Sequence, residues 1–225
     1  MASSGPRIGA IDAPGPGGAA SGSPRETFAV SAATLGDAEA VIETVAQAFL
    51  QDPTWSWAYP APETRRAWWS FCIRSALRYP WVLKTDGCEA ASIWIPPGGT
   101  ELAPEEDELV PGILDRLAGA RAPTVMELLR RFGTSHPRHE PHYYLSLLGV
   151  SDRHRGRGLG IALLRENLAR IDAEGAAAYL ESSNPDNDKR YQALGFRPIG
   201  SFTAATMHWG PGARPVRRAH RFLMM

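Results

Sequence analysis

Residues 142–150 read HYYLSLLGV, where Tyr143, Tyr144, Leu145, Leu147, Leu148 and Val150 are interrupted only by Ser146 and Gly149. So continuous an apolar run predicts a strand buried on both faces. Beyond residue 160 the period changes. Ile161, Leu164, Leu168 and Ile171 recur at spacings of three, four and three, which predicts an amphipathic helix. Earlier in the chain, Ala38, Val41, Ile42, Val45, Ala48 and Phe49 follow Gly36-Asp37 with the same helical spacing, after a short strand at 27–33. Pro53, Pro60 and Pro62 break the next stretch into turns before a second helix over 63–77. Residues 81–85 and 90–95 read as a hairpin about Asp86-Gly87, closed by Pro96-Pro97-Gly98-Gly99. Two helical pieces follow at 101–119 and 124–132, the first kinked or split by Pro111-Gly112. A strand at 177–182, a capping turn at 184–187, a helix ending at Leu194-Gly195 and a strand from Phe196 complete the pattern. The stretch 210–218, GPGARPVRR, reads as turns before the closing RFLMM.

Composition narrows the picture. Residues 1–24 are rich in Gly, Pro, Ala and Ser, so a disordered tail is expected ahead of one domain over 25–225. That tail lacks the basic start and continuous apolar segment of a secretory signal. The 24 basic and 24 acidic residues balance, which argues against nucleic acid or an anionic membrane as a partner. Cys72 and Cys88 form no close-spaced motif and suit a reducing cytoplasm. With no apolar run near the roughly 18 residues of a membrane span, a soluble cytoplasmic protein is expected. The acidic run 105–108 reads as a solvated first turn of a helix. His136, His139 and His142 are spaced by three, but no helix holds them on one face and no nearby Cys or Asp completes a ligand set. No metal site is assigned.

The candidate chemistry lies between the strand and the helix, at Arg155-Gly156-Arg157-Gly158-Leu159-Gly160. Glycines let the backbone adopt positive φ and approach a ligand closely, and a helix N-terminus offers unpaired N–H groups and positive potential. Together with two arginines this suits a phosphate or pyrophosphate. A P-loop would need Gly-Lys, which is absent, and a dinucleotide fingerprint would place its third glycine at position 161, which is Ile161. Arg-x-x-Gly-x-Gly, carried by Arg155, Gly158 and Gly160, resembles the acetyl-CoA pyrophosphate loop of the GNAT superfamily of N-acetyltransferases. The later segment AYLESSNPDNDKRYQALGF strengthens that resemblance: a strand ends in Glu181, Asn187 enters a helix, Tyr191 follows four residues on, and Leu194-Gly195-Phe196 closes it. AFLQDP, YYLSLLGV, RGRGLG, YLESS and YQALGF together look most like the branch that contains puromycin N-acetyltransferase.

The resemblance implies an α/β (α+β) fold with a mixed, mostly antiparallel twisted sheet, splayed central strands and flanking helices. It implies acetyl-CoA as co-substrate, with the backbone of Leu148, Gly149 and Val150 pairing the pantetheine arm and Arg155, Gly156, Arg157, Gly158, Leu159 and Gly160 holding the pyrophosphate. Asn187 would contact the cofactor, Glu181 would serve as base toward the attacking amine, and Tyr191 would return a proton to the thiolate. Such a transfer requires no metal. The aromatic cluster Trp55, Trp57 and Tyr59 would wall the acceptor cleft. After Trp209 the chain shows no clear strand, although that end of the fold normally supplies one beside the acceptor. The function implied is acetylation of the primary amine of a small molecule, such as an antibiotic or aminonucleoside, by a monomer or homodimer. Modification of protein lysines or N-termini, and a non-catalytic acyl-CoA-binding module, remain open alternatives.

Overall fold

The computed structural model describes residues 28–182, 185–207 and 216–224. The expected tail at 1–24 lies outside them. The chain runs β1 (Val30–Ala32), α1 (Ala38–Ala48), α2 (Pro53–Ala58), α3 (Pro62–Ala76), β2 (Val82–Thr85), β3 (Ala90–Ile95), α4 (Pro104–Asp107), α5 (Val110–Ala118), α6 (Ala122–Ser135), β4 (His142–Val150), α7 (Leu159–Ala173), β5 (Ala177–Ser182), α8 (Pro185–Gln192), β6 (Arg197–Met207) and β7 (Val216–Met224). The strands form a seven-stranded sheet in the order β1-β2-β3-β4-β5-β7-β6. Neighbours are antiparallel except β4 and β5, which run parallel and are joined across one face by α7. A parallel pair needs such a crossover.

Two apolar layers clamp the sheet. On one face Val41, Ile42 and Val45 of α1, Trp68, Trp69 and Ile73 of α3, Leu114 of α5 and Val125 of α6 pack with Ile93 and Leu147. On the other, Leu164, Leu168 and Ile171 of α7 pack on Leu83, Trp94, Tyr143 and Leu145. Buried Asn167 pins α7 to the sheet, its Oδ1 accepting from Ser92 Oγ at 2.6 Å and Trp94 Nε1 at 2.9 Å.

The centre of the sheet is irregular, and the irregularity makes the cleft. Ile93 pairs with Leu147 but Trp94 pairs with Leu145, so Ser146 is an extra residue in β4. A bulge bends its strand and switches which side chains face which layer. Tyr143 and Leu145 accordingly face α7 before the bulge, whereas Leu147 faces α1 after it. On its other edge β4 pairs with β5 only from His142↔Ala177 to Leu145↔Leu180. Past that point the strands part. Strand 142–150 is therefore not buried on both faces along its length: Tyr144, Ser146, Leu148 and Val150 are only half-buried.

Several expectations need correction. Residues 53–58 form α2, with Asp52 Oδ1 accepting from Thr54 N at 2.9 Å and Trp55 N at 3.1 Å and Pro53 in the first turn. Asp-Pro started a helix where a turn was expected, because proline's missing N–H costs nothing there. Pro111 likewise sits at the start of α5, so the split in 101–119 falls ahead of it. Residues 216–224 form β7, inserted between β5 and β6. A strand is thus present in the tail, where turn-forming residues hid it in the sequence.

Candidate active site

The glycine turn is built from the backbone outward. Arg155 secures it: Nη2 donates to Gln47 O at 3.0 Å and Ala48 O at 2.9 Å, the last carbonyls of α1, and Nε meets Asp152 at 3.0 Å. A cation at a helix C-terminus satisfies orphan carbonyls and complements the dipole. Gly156 and Gly158 have φ of +79° and +78°, and a Cβ at either would find no atom within 4 Å. The conformation strongly favours glycine, while the space outside it stays open. Gly158 is the N-cap of α7 and supplies no side-chain acceptor to the helix's first amides. Gly149 and Gly160 have a different reason to be glycine. A Cβ on Gly149 would lie 3.2 Å from Val45 Cα where α1 crosses the strand, and one on Gly160 would lie 3.0 Å from Val150 Cγ2. Leu159 is buried beside Leu163 and Ala90, with Val150 packed against them.

Where β4 and β5 part, a cleft of about 1730 Å³ opens, lined by Leu147, Leu148 and Arg155 and also by Trp55, Glu101, Tyr144, Glu181, Asn187 and Tyr191. Glu181 is held by two phenols: Tyr179 Oη donates to Oε1 at 3.0 Å and Tyr144 Oη to Oε2 at 3.4 Å. Burial, then the charge of Glu101, pushes its carboxyl up to about 8, against the lowering pull of the two phenols. Both tyrosines are themselves pushed up by burial and by the carboxylates, so they remain donors. Behind them His136 and His142 meet Nε2 to Nε2 at 2.9 Å, and the His136 ring packs edge-on to Tyr144 and Tyr179. Burial lowers His136 to about 4, which keeps it neutral. His142 Nδ1 donates to Glu140 O at 2.7 Å, which fixes the ring with its Nε2 turned to His136. Two of the three histidines weighed for a metal in the sequence, His136 and His142, here buttress the wall around Glu181.

Tyr191 projects from α8 into the cleft and is pushed up to about 12, by burial and then by the charge of Asp188. Buried Asp188 accepts from Ser182 Oγ at 2.8 Å, which docks α8 on the end of β5. Asn187 also lines the cleft, its Oδ1 accepting from Arg190 Nη1 at 3.1 Å.

The aromatic cluster divides. Trp55 lines the cleft, stacked on Tyr59 at 6.2 Å and edge-on to Trp69 at 4.8 Å. Trp57 and Tyr59, only 8% and 0% exposed, belong to the core. Both placements at the acceptor wall are corrected: Trp57, two residues on, points about 200° away from Trp55 around the helix, and Tyr59, just past the helix end, is buried between Trp55 and Trp68. Glu101 went unnoticed in the sequence, since Gly-Gly-Thr-Glu after a hairpin carries no motif. Its carboxylate accepts from Ser146 Oγ at the bulge. Although the open cleft leaves Glu101 exposed to solvent, protein surrounds its carboxyl closely enough to push it upward.

The model of the acetyltransferase (GNAT) family matches residues 42–196, more than half of the chain. The chain belongs to the GNAT acetyltransferase family. It is thus an acyltransferase of a family whose co-substrate is an acyl-CoA. Solved structures agree on the fold. The chain is similar to a Drosophila melanogaster polyamine N-acetyltransferase, at 18% identity and a TM-score of 0.56 over 88% of this chain and 99% of that one. It is similar also to arylalkylamine N-acetyltransferase 2 from Aedes aegypti, at 15% identity and a TM-score of 0.62 over 89% and 99%. A third is the histone acetyltransferase HPA2 and related acetyltransferase from Corynebacterium glutamicum, at 22% identity and a TM-score of 0.53 over 87% and 94%. Among the described residues no helix is long and apolar enough to cross a membrane. The GNAT sheet of this chain fits an acyl-CoA on its own geometry: the α7 N-terminus has no side-chain cap, the glycines before it face open space, and Leu147 and Leu148 line a cleft where β4 has no β5 partner.

Proposed function

We propose that this protein is an acetyl-CoA-dependent N-acetyltransferase that modifies the primary amine of a small molecule by direct attack on the thioester. The observation that carries this reading is Glu181, a carboxyl pushed up to about 8 in the same cleft as a protonated phenol, Tyr191, pushed up to about 12. A base is most effective when its pKa lies near the working pH, and a phenol that keeps its proton serves as the acid. Acetyl-CoA, when bound, supplies the acetyl group as an activated thioester. The amides from Gly156 to Gly160 and the α7 dipole would hold its pyrophosphate, with Arg155 fixing the turn; the free edge of Leu148, Gly149 and Val150 would hold the pantetheine arm; Asn187 would contact it. Glu181 takes one proton from the entering ammonium; as the N–C bond forms and the C–S bond breaks, Tyr191 gives its phenol proton to the leaving thiolate, and the surplus proton on nitrogen returns to the phenolate. Trp55 covers the acceptor's apolar body. An aminonucleoside or amino-acid-like antibiotic as acceptor, a resistance role and kinship with the puromycin branch extend this reading on sequence resemblance.

The test is incubation with acetyl-CoA and a mixed library of amines and peptides, following thiol release and product mass. Acetylated small amines are expected. Preferential acetylation of peptides would move the chain to protein modification, and acetyl-CoA binding without thiol release would make it a binding module.

A further inference from the structure

Glu101 stands on the segment that follows β3, and that segment is tightly held. The Arg78 guanidinium donates to Thr100 O and, at 3.3 Å, to Glu101 O, while Tyr79 Oη accepts from Thr100 N at 3.1 Å. With its backbone fixed, the Glu101 side chain reaches into the cleft to Ser146, the bulged residue of β4. Glu181 lines the same cleft from β5. Among the described residues neither carboxylate enters an ion pair. The titratable groups around them are Cys72 from α3, the neutral phenols Tyr144, Tyr179 and Tyr191, and the His136–His142 pair; Arg78 is committed to the carbonyls. Of the arginines that line the cleft, Arg130 pairs with Glu127, Arg155 pairs with Asp152 and Arg138 donates to Gly133 O, so the two partly desolvated carboxylates are complementary to a cationic ligand.

Resting on the amine-acetylation reading above, we propose that Glu101 anchors the acceptor as its ammonium beside Glu181, so that the cleft selects amines that arrive cationic over neutral nucleophiles of the same shape. An ammonium has three donors, enough for both carboxylates at once. Its charge offsets that of Glu101, which is one cause of the raised Glu181 carboxyl, so binding favours the ionised base. One N–H bond then breaks and one Glu181 O–H bond forms, leaving a neutral amine whose lone pair is free to attack. The amide product carries no charge and loses its hold on Glu101, which favours release.

The experiment compares the best primary amine from the library with its aminooxy counterpart, phenethylamine and O-benzylhydroxylamine being the first pair, in the wild type and in Glu101→Gln and Glu101→Asp. Phenethylamine is an ammonium at neutral pH and the aminooxy compound is neutral. Glu101→Gln is expected to raise KM for the ammonium probe about 10- to 100-fold, the scale of a hydrogen bond to a charged group, and to shift KM for the neutral probe far less. Its acetyl-CoA affinity is unchanged. The neutral probe brings no ammonium proton, so Glu181 takes the N–H proton released as its nitrogen bonds to the acetyl carbon, and the ascending limb of kcat/KM set by that step moves to lower pH because a neighbouring negative charge is gone. Glu101→Asp restores part of the selectivity. Equal KM changes for both probes, or an unmoved limb, would overturn the anchor while leaving the amine reading intact. A wild type that acetylates no amine in either form would sink both.

Discussion

The two ends of the cleft are built on different plans. The proposed cofactor end is one continuous segment, β4, the glycine turn and α7, and most of what it offers a ligand is backbone: uncapped amides, positive φ and a free strand edge. The proposed acceptor end is a set of side chains from α2, the segment after β3, β4, β5 and α8, each brought in from a distant part of the chain. Backbone recognition depends on local conformation and tolerates change in the side chains around it. Side-chain recognition depends on tertiary placement, and its groups perturb one another, as Glu101 does Glu181.

The sharpest way to break this contrast is Gly158→Asp. Asp tolerates the left-handed conformation better than most residues and is a good N-cap, so the fold should survive. Its carboxylate would occupy the amides and repel a pyrophosphate, and acetyl-CoA should no longer raise Tm. Undiminished thermal stabilisation would show that the anion site lies elsewhere.

Glu181→Gln should lower kcat by about 10²- to 10⁴-fold, leave acetyl-CoA affinity unchanged and remove the rise of kcat/KM with pH. It also carries a stability signature. The folded-state carboxyl is raised from 4.5 to about 8, so its contribution is complete below about 4.5 and is lost as pH rises through about 8. The Gln variant should escape that loss, with Tm above the wild type's in alkaline buffer. A wild-type Tm that does not fall relative to the variant across this range would place Glu181 in a more hydrated setting.

Tyr191→Phe should slow the chemical step about 10²-fold, with less effect on thioesters whose leaving thiol is more acidic. A uniform loss across thioesters would indicate packing instead. The smallest effect on chemistry comes from the tryptophans. Trp55→Ala should raise the acceptor KM several-fold with acetyl-CoA binding unchanged, whereas Trp57→Ala should cost about 3–5 kcal/mol of stability and leave KM alone. A KM effect from Trp57→Ala would return that side chain to the acceptor wall.

What the sequence determined by itself follows the same division. The period-3.6 patterns of α1, α3 and α7, the β2–β3 hairpin and the glycine turn were legible because neighbours in sequence create them, and a turn that needs positive φ announces itself with glycine. Glu181 and Tyr191 were found only through a motif resemblance. Tertiary structure decided the rest. The bulge at Ser146 and the parting of β4 from β5 are properties of strand pairing, which no single segment contains. β7 is a strand because β5 and β6 leave it a place, despite its turn-like neighbours. Trp55 and Trp57 differ by the face of a six-residue helix, and the difference becomes visible only when α3 covers one side. Glu101 has no local signal at all. It acquires a role because a bulge forty-five residues away offers it a hydroxyl and opens the cleft it shares with Glu181, a long-range electrostatic relation that a one-dimensional pattern cannot encode.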